Sequence, residues 1–523
     1  MANKVNLDAL IPREDFTVKR EGTNAPQKDG ISLTDLQRGE FFFASLRKPD
    51  FQRETAEWTP ARVAGLIRTF IQGDLVPGII LWRNREMVFV IDGSHRLSAL
   101  IAWVQNDFGD GARSQEFFDH DIPDEQLKSA NQTRDLVEAE FGTYQSHRDA
   151  AANPSAFGPD VQTRALRFGT LTLQVQWVPT ENSVQAERSF IRINQSAAMI
   201  SSQELELIES RRKPNAITAR AIFRRATGHK YWDSFSTERQ TEIEAIATDI
   251  HRMLFEPHLK YPLSTVDLPP GGAASAAPAL RMVFDFINLC VGTPSAEDDS
   301  DGVRTMEYLQ RCRRVLRLLL SNEPSSLGLH PGVYFYSWTG KQQPILFLTT
   351  AALIIDLDQT RQLDSFTRMR GSLEAFLVSN RPLVNQLVRK FGSKASGKIH
   401  LRHFYDRVLD AIRSGASLPE MVGIVRSQPE FKYLQPEEQF EEGGQLSFST
   451  NVKSGVAMRT LLASAPKCAI CSGFLPRQAM SLDHIQRVAD GGSSTAANAQ
   501  LTHPYCNHGF KEGELARQHR ASL

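Results

Sequence analysis

Two closely spaced pairs of metal-ligand side chains near the end of the chain constrain its fold more than any other feature. Cys468 and Cys471 form the first pair, and His503 and Cys506 form the second about 30 residues later. Three thiolates and one imidazole in two pairs suit tetrahedral Zn²⁺. We therefore expect a zinc site, and in so small a module the ion supplies stability that a core cannot. A structural zinc knuckle without further chemistry is the alternative.

The segments between and directly after the two pairs carry residues that suit phosphodiester chemistry. A predicted strand end presents Asp483 and His484, and Pro504 can open a helix that carries Asn507 and Lys511. A carboxylate and an amide oxygen suit Mg²⁺, and a neutral histidine can deprotonate water near neutral pH. A bound metal could then stabilise charge that develops on a scissile phosphate. Without the zinc pairs, Asp-His would be an ordinary surface dipeptide.

The segment CAIC…LDHIQRVADGG…NAQLTHPYCNHGFKEG resembles an HNH endonuclease of the zinc-containing ββα-metal type. The resemblance covers residues from about 460 to 515. It implies that His484 is the general base and that Asp483 and Asn507 hold a catalytic Mg²⁺ or Mn²⁺. It also implies that Asn498 orients the base through its loop, and that DNA is the substrate. Family members usually have a cysteine where His503 stands, but histidine is also a good zinc ligand.

A second candidate site follows the predicted strand MVFVI, in IDGSHRLSAL. An Asp-Gly turn that enters a helix places backbone N–H groups at the helix N-terminus, where they favour anions such as phosphates. Arg96 adds a forked donor. A plain hairpin–helix junction with Ser94 as the N-cap is the alternative. The candidate nucleotide-binding residues are Gln52, Arg53, Asp92, Gly93, Ser94, His95, Arg96 and Asn194.

The segments QRE…W…GDLVP…IDGSHRLSAL and SFIRINQSAAMISSQELEL are similar to the N-terminal domain of the GmrSD-type restriction proteins. That domain belongs to the ParB/sulfiredoxin-like superfamily, whose signature is written DGQQR or DGQHR, so Ser94 replaces a glutamine here. The resemblance implies binding, and in some members hydrolysis, of a nucleoside triphosphate. The substitution weakens the expectation of hydrolysis more than that of binding. Asn194 matches a second family motif, and a cap on the approach to a helix is the alternative for it.

Local sequence patterns predict several elements of the first 210 residues. Thr59 and Pro60 are typical of a helix start, and Gly73 of a helix end. Strands are predicted at 78–82, 87–91 and 171–178, and a helix at 94–104. Within the polar stretch between about 105 and 165, FGDGARSQ and AANPSAFGPD predict loops or insertions. Ser201-x-x-Glu204 predicts a capping box.

These patterns predict a multidomain α+β protein with five parts. A flexible arm at 1–30 precedes a ParB/sulfiredoxin-like α/β sensor domain at 31–210. A mostly α-helical domain at 211–434 follows, and a linker at 435–455 leads into a small ββα-metal HNH zinc domain at 456–523.

Composition limits the classes of protein that this chain can belong to. Its 523 residues carry 60 basic and 60 acidic side chains, so net charge gives no indication of nucleic-acid binding. From Lys453 onward, eight basic and four acidic residues give a modest excess of four positive charges. Five cysteines exclude a disulfide scaffold, and the first residues lack the apolar segment of a signal peptide. A cytoplasmic protein without a membrane partner is expected.

The resemblance to GmrSD-like and SspE-like proteins implies a restriction nuclease of antiviral defence. Phage or other invading DNA, often modified, would be nicked or cut under control of a nucleotide- or modification-sensing N-terminal domain. A nuclease-inactive zinc DNA-binding regulator, an NTPase-driven switch with secondary nuclease activity and an RNA-directed toxin are the alternatives. The sequence leaves open whether the chain forms a homo-oligomer.

Overall fold

The computed structural model describes residues 4–14, 26–49, 52, 55, 58–118, 120, 122, 124–197, 206–207, 209–227, 230–274, 277–392, 395–436 and 448–514. It places the side chains of these residues except those of 124, 194–197, 277–278 and 395–396. Two compact units are present: Met1–Arg211 with Thr227–Lys230, and Arg212–Ala226 with Tyr231–Leu523. No helix within the described ranges is long and apolar enough to cross a membrane.

The first unit is built around a six-stranded mixed sheet. Its strands lie in the order β1-β3-β5-β4-β6-β2. The pairs β1–β3, β3–β5 and β4–β6 are parallel, whereas β4–β5 and β2–β6 are antiparallel. The strands are β1 Arg13–Glu14, β2 Gly30–Ser32, β3 Leu46–Pro49, β4 Ile79–Asn84, β5 Met87–Asp92 and β6 Thr172–Trp177.

Strand β5 is covered on both faces, as its unbroken apolar sequence MVFVI requires. Val88 and Val90 lie in the larger core cluster of the unit. Phe89 and Ile91 point to the opposite face and pack in a smaller cluster with Phe190. The strands predicted at 78–82, 87–91 and 171–178 are confirmed, with ends shifted by one or two residues.

The helix Pro60–Gln72 begins and ends where the sequence predicts. The Thr59 side chain accepts a hydrogen bond from the backbone N–H of Arg62, and Gly73 closes the helix at φ 76°. The helix predicted at 94–104 is also confirmed. The helices of this unit are Phe41–Ser45, Pro60–Gln72, Ser94–Gln105, Ala112–Phe117, Asp124–Phe141, Tyr144–Ala152, Pro159–Phe168 and Ser183–Ala197.

Four of these helices lie between about 105 and 165, a stretch in which the sequence predicts loops or insertions at FGDGARSQ and AANPSAFGPD. Each of those two segments is partly loop and partly helix. Helix Asp124–Phe141 is largely polar and buries only a narrow stripe that includes Ala130, Val137 and Phe141. A stripe this narrow leaves most positions polar, which hides the helical period from a sequence-based interpretation. The predicted capping box at Ser201 and Glu204 lies outside the described residues.

The predicted flexible arm is wrong for residues 4–14. Val5, Leu7, Leu10 and Ile11 are buried in the larger core cluster, and β1 pairs with β3. Asp8 is buried as well, which is possible because the ammonium of Lys48 lies 2.6 Å from its carboxylate. Residues 15–25 of the predicted arm lie outside the described part of the chain.

The second unit is mostly helical and carries a small β-hairpin near its C-terminal end. Its strands are β7 Ser481–His484 and β8 Ala499–Thr502, which pair antiparallel. The predicted fold class, multidomain α+β with a helical middle and a small C-terminal zinc module, is confirmed. The helices are Pro214–Phe223, Thr237–Phe255, Ala277–Val291, Val303–Leu320, Pro331–Tyr334, Pro344–Gln359, Leu363–Ser379, Arg381–Phe391, Ala395–Arg413, Leu418–Ser427, Thr450–Ala463 and the π-helix Cys506–Phe510.

The segment predicted as a linker, 435–455, contains the start of a helix. Ser449 caps helix Thr450–Ala463 by accepting from the backbone N–H of Val452, and Gly455 packs at close range against Trp338. A residue with a β-carbon at Gly455 would place that atom 3.0 Å from the Trp338 ring. The middle of the predicted linker, 437–447, lies outside the described residues.

Candidate functional site

Cys468, Cys471, His503 and Cys506 converge on one point in the second unit. Their ligand atoms all lie within 4.8 Å of one another, and all four side chains are buried. Four ligands that each stand about 2.0–2.3 Å from one ion require a spacing of this kind. The pairs predicted to bind zinc therefore come together, and the donor set and spacing fit zinc.

The imidazole of His503 is oriented for a metal. Its Nε2 lies 3.0 Å from the carbonyl oxygen of Phe474, and its Nδ1 lies 3.3 Å from the sulfur of Cys471. Only a protonated nitrogen can donate to a carbonyl, so Nε2 carries the proton and Nδ1 keeps its lone pair. Burial lowers the pKa of His503, which favours this neutral form. Zinc-bound histidines commonly have a second-nitrogen contact of this type.

The three thiols shift one another's pKa values in opposite directions. Hydrogen bonds from the thiols of Cys471 and Cys506 lower the pKa of Cys468. The same contacts raise the pKa of Cys471 to about 12 and also raise that of Cys506. Metal binding would replace these shared protons, since thiolates are the zinc ligands.

The β7–β8 hairpin presents the predicted acid and base beside this cluster. Asp483 points inward and is 7% exposed, while the next residue, His484, is half-buried. The carboxylate of Asp483 accepts from Gln500 Nε2 at 2.8 Å and from Lys511 Nζ at 2.9 and 2.8 Å. The strand that the sequence predicts at this position is confirmed.

Asn498 organises the loop that follows His484. Its side-chain oxygen accepts from the backbone N–H of Gln486 at 2.8 Å, and its amide donates to the carbonyl oxygens of Gln486 and Ser493. The next residue of that loop, Ser494, places its hydroxyl 3.1 Å from His484 Nε2. Asn498 therefore shapes the surroundings of the imidazole without touching it in any contact described.

Asn507 stands on the helical segment that Pro504 opens, as the sequence predicts. Its amide donates to Ser481 Oγ at 2.8 Å and to the carbonyl oxygen of Leu482 at 3.2 Å, so it lies directly behind β7. The backbone N–H of Lys511 bonds to the carbonyl oxygen of Cys506, five residues earlier. This π-turn widens the helix, and such turns are frequent at functional sites.

The donor set of Asp483 and Asn507 suits a hard divalent cation, since it offers carboxylate and amide oxygens. The Lys511 ammonium lies on the same carboxylate and also donates to the carbonyl oxygen of His484 at 2.7 Å. Sequence reasoning assigned no role to Lys511 or Gln500. The position of Lys511 four residues after Asn507 was the available signal, because residues at that spacing share a helix face.

The second candidate site lies at the start of helix Ser94–Gln105 in the first unit. Gly93, at φ 94°, is the N-cap, so the alternative with Ser94 as N-cap is wrong. Arg96 donates to the Asp92 carboxylate at 2.6 Å and to the carbonyl oxygen of Gly78 at 3.1 Å. The Arg96 guanidinium, which the sequence predicts to bind phosphate, thus uses part of its hydrogen-bonding capacity within the protein.

Other predicted members of this site are placed unevenly. His95 stacks on Trp58 at 5.5 Å between ring centroids, which joins the FQRETAEW segment to the helix start. The Gln52 side chain is buried, and its Oε1 has no hydrogen-bond partner among the described residues. Arg53 and the side chain of Asn194 lie outside the described part of the chain; the backbone of Asn194 is in helix Ser183–Ala197.

Comparison with protein families gives one match near each end of the chain. Residues 33–209 match the family model of the GmrSD restriction endonuclease N-terminal domain. Residues 468–509 match the family model of the HNH endonuclease, which supports nuclease activity on DNA. Comparison with curated proteins and with solved structures gave no match. The chain therefore joins a GmrSD N-terminal domain to a C-terminal HNH endonuclease domain, the fusion architecture of GmrSD-like restriction nucleases.

Proposed function

We propose that this chain is a metal-dependent DNA endonuclease whose hydrolytic site is formed by Asp483, His484 and Asn507. The observation that carries the proposal is their arrangement: a buried carboxylate and a half-buried imidazole on β7, with the Asn507 amide against the same strand. An acid, a base and an amide on one zinc-anchored unit match the requirements of phosphodiester hydrolysis.

In this proposal His484 removes a proton from the attacking water. Its Nε2 lies near the Ser494 hydroxyl, in a loop that Asn498 holds in shape, so the imidazole is oriented before substrate arrives. Asp483 and Asn507 are the proposed ligands of a catalytic Mg²⁺ or Mn²⁺. When bound, that ion would stabilise the charge developing on the scissile phosphate and the leaving oxygen.

Zinc in the Cys/His cluster has a structural role in this proposal. Its four ligands would use every position of a tetrahedral ion, which leaves none for water or substrate. The cluster includes His503 at the end of β8 and Cys506 in the π-helix. Zinc would therefore hold the hairpin against the segment that carries Asn507.

We assign control of cleavage to the first unit, which would sense a nucleotide, a DNA modification or both. Gly93 is the N-cap of a twelve-residue helix and has no side chain to bond the first backbone N–H groups of that helix, so an anionic ligand could accept from them. Ser94, the first residue of the helix, is buried. The buried Oε1 of Gln52 is a further polar atom that a ligand could satisfy. The biological role in this proposal is restriction of phage or other invading DNA in the cytoplasm.

The test is cleavage of supercoiled plasmid and of modified and unmodified phage DNA by the full-length protein with Mg²⁺ or Mn²⁺, with and without each nucleoside triphosphate. We expect cleavage by the wild type and by His508→Ala, a matched control because His508 is an exposed histidine of the same module. We expect none by His484→Ala, with its zinc content unchanged. Absence of cleavage by the wild type under every condition, or equal cleavage by His484→Ala, would refute the proposal.

A further inference from the structure

A buried ion pair of the helical domain stands against the Cys/His cluster. Arg370 and Glu374 lie one turn apart on helix Leu363–Ser379, and their side chains are 1% and 0% exposed, with Arg370 Nε 2.6 Å from Glu374 Oε1. Removing two charges from water costs several kcal/mol per ion, so such a pair persists only where further hydrogen bonds complete it. The partners of the two side chains therefore indicate what the pair holds in place.

The guanidinium of Arg370 holds the loop that precedes helix Pro331–Tyr334. It donates to the carbonyl oxygens of Leu327 and Gly328. Gly328 in turn lies against the zinc module: a β-carbon there would stand 2.8 Å from Ala479 Cβ and 3.3 Å from His503 Cδ2. Burial opposes the charge of Arg370, but the carboxylate of Glu374 together with the nearby Cys471, Tyr334 and Cys506 outweighs burial and holds the pKa of Arg370 above its usual value.

The carboxylate of Glu374 connects the ion pair to His503, one of the four candidate zinc ligands. Its Oε1 also accepts from the hydroxyl of Tyr334 at 2.9 Å, and its Oε2 accepts from the backbone N–H of Phe474. The carbonyl oxygen of Phe474 accepts from His503 Nε2 at 3.0 Å. Glu374 and His503 are thus joined through the backbone of one residue.

The turn between Cys468 and Phe474 also packs against helix Leu363–Ser379, so closely that the contact positions are glycines. A β-carbon on Gly371 would stand 2.6 Å from the carbonyl oxygen of Cys471, and one on Gly473 would stand 2.9 Å from Arg370 Nε. The Cys468 backbone N–H bonds to the Gly473 carbonyl oxygen at 2.8 Å and closes the turn. Gly473 therefore belongs to the cysteine turn and also packs directly against the ion pair.

We infer that Arg370 and Glu374 are positioning residues of the zinc centre, which the helical domain supplies from about 100 residues away in sequence. Glu374 fixes the Phe474 peptide, and that peptide fixes the Nε2–H tautomer of His503 and leaves Nδ1 for the metal. Arg370 holds Glu374 and the Gly328 loop against the module. The inference rests on zinc occupying the cluster, but it does not depend on the proposed cleavage of DNA.

The test measures zinc retention by the full-length protein, without DNA. Mutation of a residue that hydrogen-bonds to a metal ligand typically weakens metal affinity by about 10–100-fold. We therefore expect Glu374→Gln to release zinc to a competing chelator at least about tenfold faster than the wild type. Tyr334→Phe removes one neutral donor to Glu374 and should give a smaller acceleration in the same direction. In Co²⁺-substituted protein, both variants should shift the visible absorption bands that report tetrahedral ligand geometry, which a general loss of stability would not do.

Arg368→Gln is the matched control. Arg368 lies on the same helix and forms an ion pair with Glu514 of the zinc module, but that pair is solvent-exposed. This variant should release zinc at the wild-type rate. Wild-type release and an unshifted Co²⁺ spectrum in Glu374→Gln would overturn the inference. If Glu374→Gln does not fold, the same result in Tyr334→Phe would overturn it. A wild-type protein without zinc would also overturn it, whereas a wild type that keeps zinc but does not cleave would contradict only the proposed function.

Discussion

Lys511 places its ammonium on both carboxylate oxygens of Asp483, at 2.9 and 2.8 Å. The two residues are 28 positions apart, and the π-turn from Cys506 to Phe510 brings the lysine to this position. An ammonium and a divalent cation on the same carboxylate repel each other, so the two compete for Asp483. Lys511 therefore occupies the position that a cation bound to Asp483 would take.

Replacing this lysine should tighten binding of the proposed catalytic metal. In Lys511→Met the carboxylate of Asp483 loses its internal cation, so we expect Mn²⁺ to bind on the order of tenfold more tightly. Titration calorimetry at fixed ionic strength measures this directly. Lys453→Met, at an exposed position of helix Thr450–Ala463, is the control and should bind as the wild type does. Weaker Mn²⁺ binding by Lys511→Met would show that the lysine organises the site and does not compete for it.

The parts of the site that are close in sequence were predictable. The spacing of Cys468 to Cys471 and of His503 to Cys506 gave the zinc cluster, and a strand end was expected at Asp483. The partners that complete the site were not, because they come from distant segments. No local pattern pairs Asp483 with Lys511, or Phe474 with a glutamate 100 residues earlier. Tertiary packing decides such contacts.

The fold shows the same division. Gly73 and Gly93 end or begin elements where a left-handed backbone is needed, and both were identified from sequence. The segment around Asp8 was misassigned because the mixed polar composition of residues 1–30 suggested exposure. In the structure Asp8 is buried with Lys48 and Arg13. Buried charges that neutralise one another cannot be distinguished from solvated ones in a single sequence.

Substituting Gly93 should destabilise the first unit. A side chain at φ 94° is strained by about 1–3 kcal/mol, and its β-carbon would stand 2.5 Å from Ile79 Cδ1. We expect Gly93→Ala to lower the melting temperature of this unit in calorimetry. Gly65→Ala is the matched control, since Gly65 lies within helix Pro60–Gln72 and a β-carbon there meets no described atom within 4 Å. It should stabilise by up to about 1 kcal/mol. Equal effects of the two substitutions would contradict the strained geometry at Gly93.

Removing the carboxylate of Asp8 should also destabilise this unit. Asp8→Asn removes a negative charge that lies against the buried ammonium of Lys48, and breaking a buried pair in this way typically costs about 3–5 kcal/mol. Denaturant unfolding of the variant and the wild type tests this expectation. Glu140→Gln removes one partner of an exposed ion pair with Arg68 and should change stability little. A loss in Asp8→Asn as small as that in the control would contradict the burial of the Asp8–Lys48 pair.

Acid should weaken the second unit through His330, which stands beside Phe474 at the zinc module. Burial lowers the pKa of His330 from 6.5 to about 4, although the Glu374 carboxylate opposes the shift. The unfolded chain therefore binds a proton at this histidine between about pH 6.5 and pH 4, where the folded chain does not. Stability from this group is fully present above pH 6.5 and is lost as the pH falls toward 4. At pH 5 the loss amounts to about 2 kcal/mol.

The measurement compares the calorimetric unfolding of the wild type and His330→Gln at pH 7 and pH 5. The wild type should lose more stability than His330→Gln over this interval, because glutamine does not titrate. Protonation of the zinc ligands acts on both proteins alike, so the difference between them isolates His330. His508→Gln, at an exposed histidine, should lose as much as the wild type. Equal losses in the wild type and in His330→Gln would mean that His330 does not remain neutral in the folded protein.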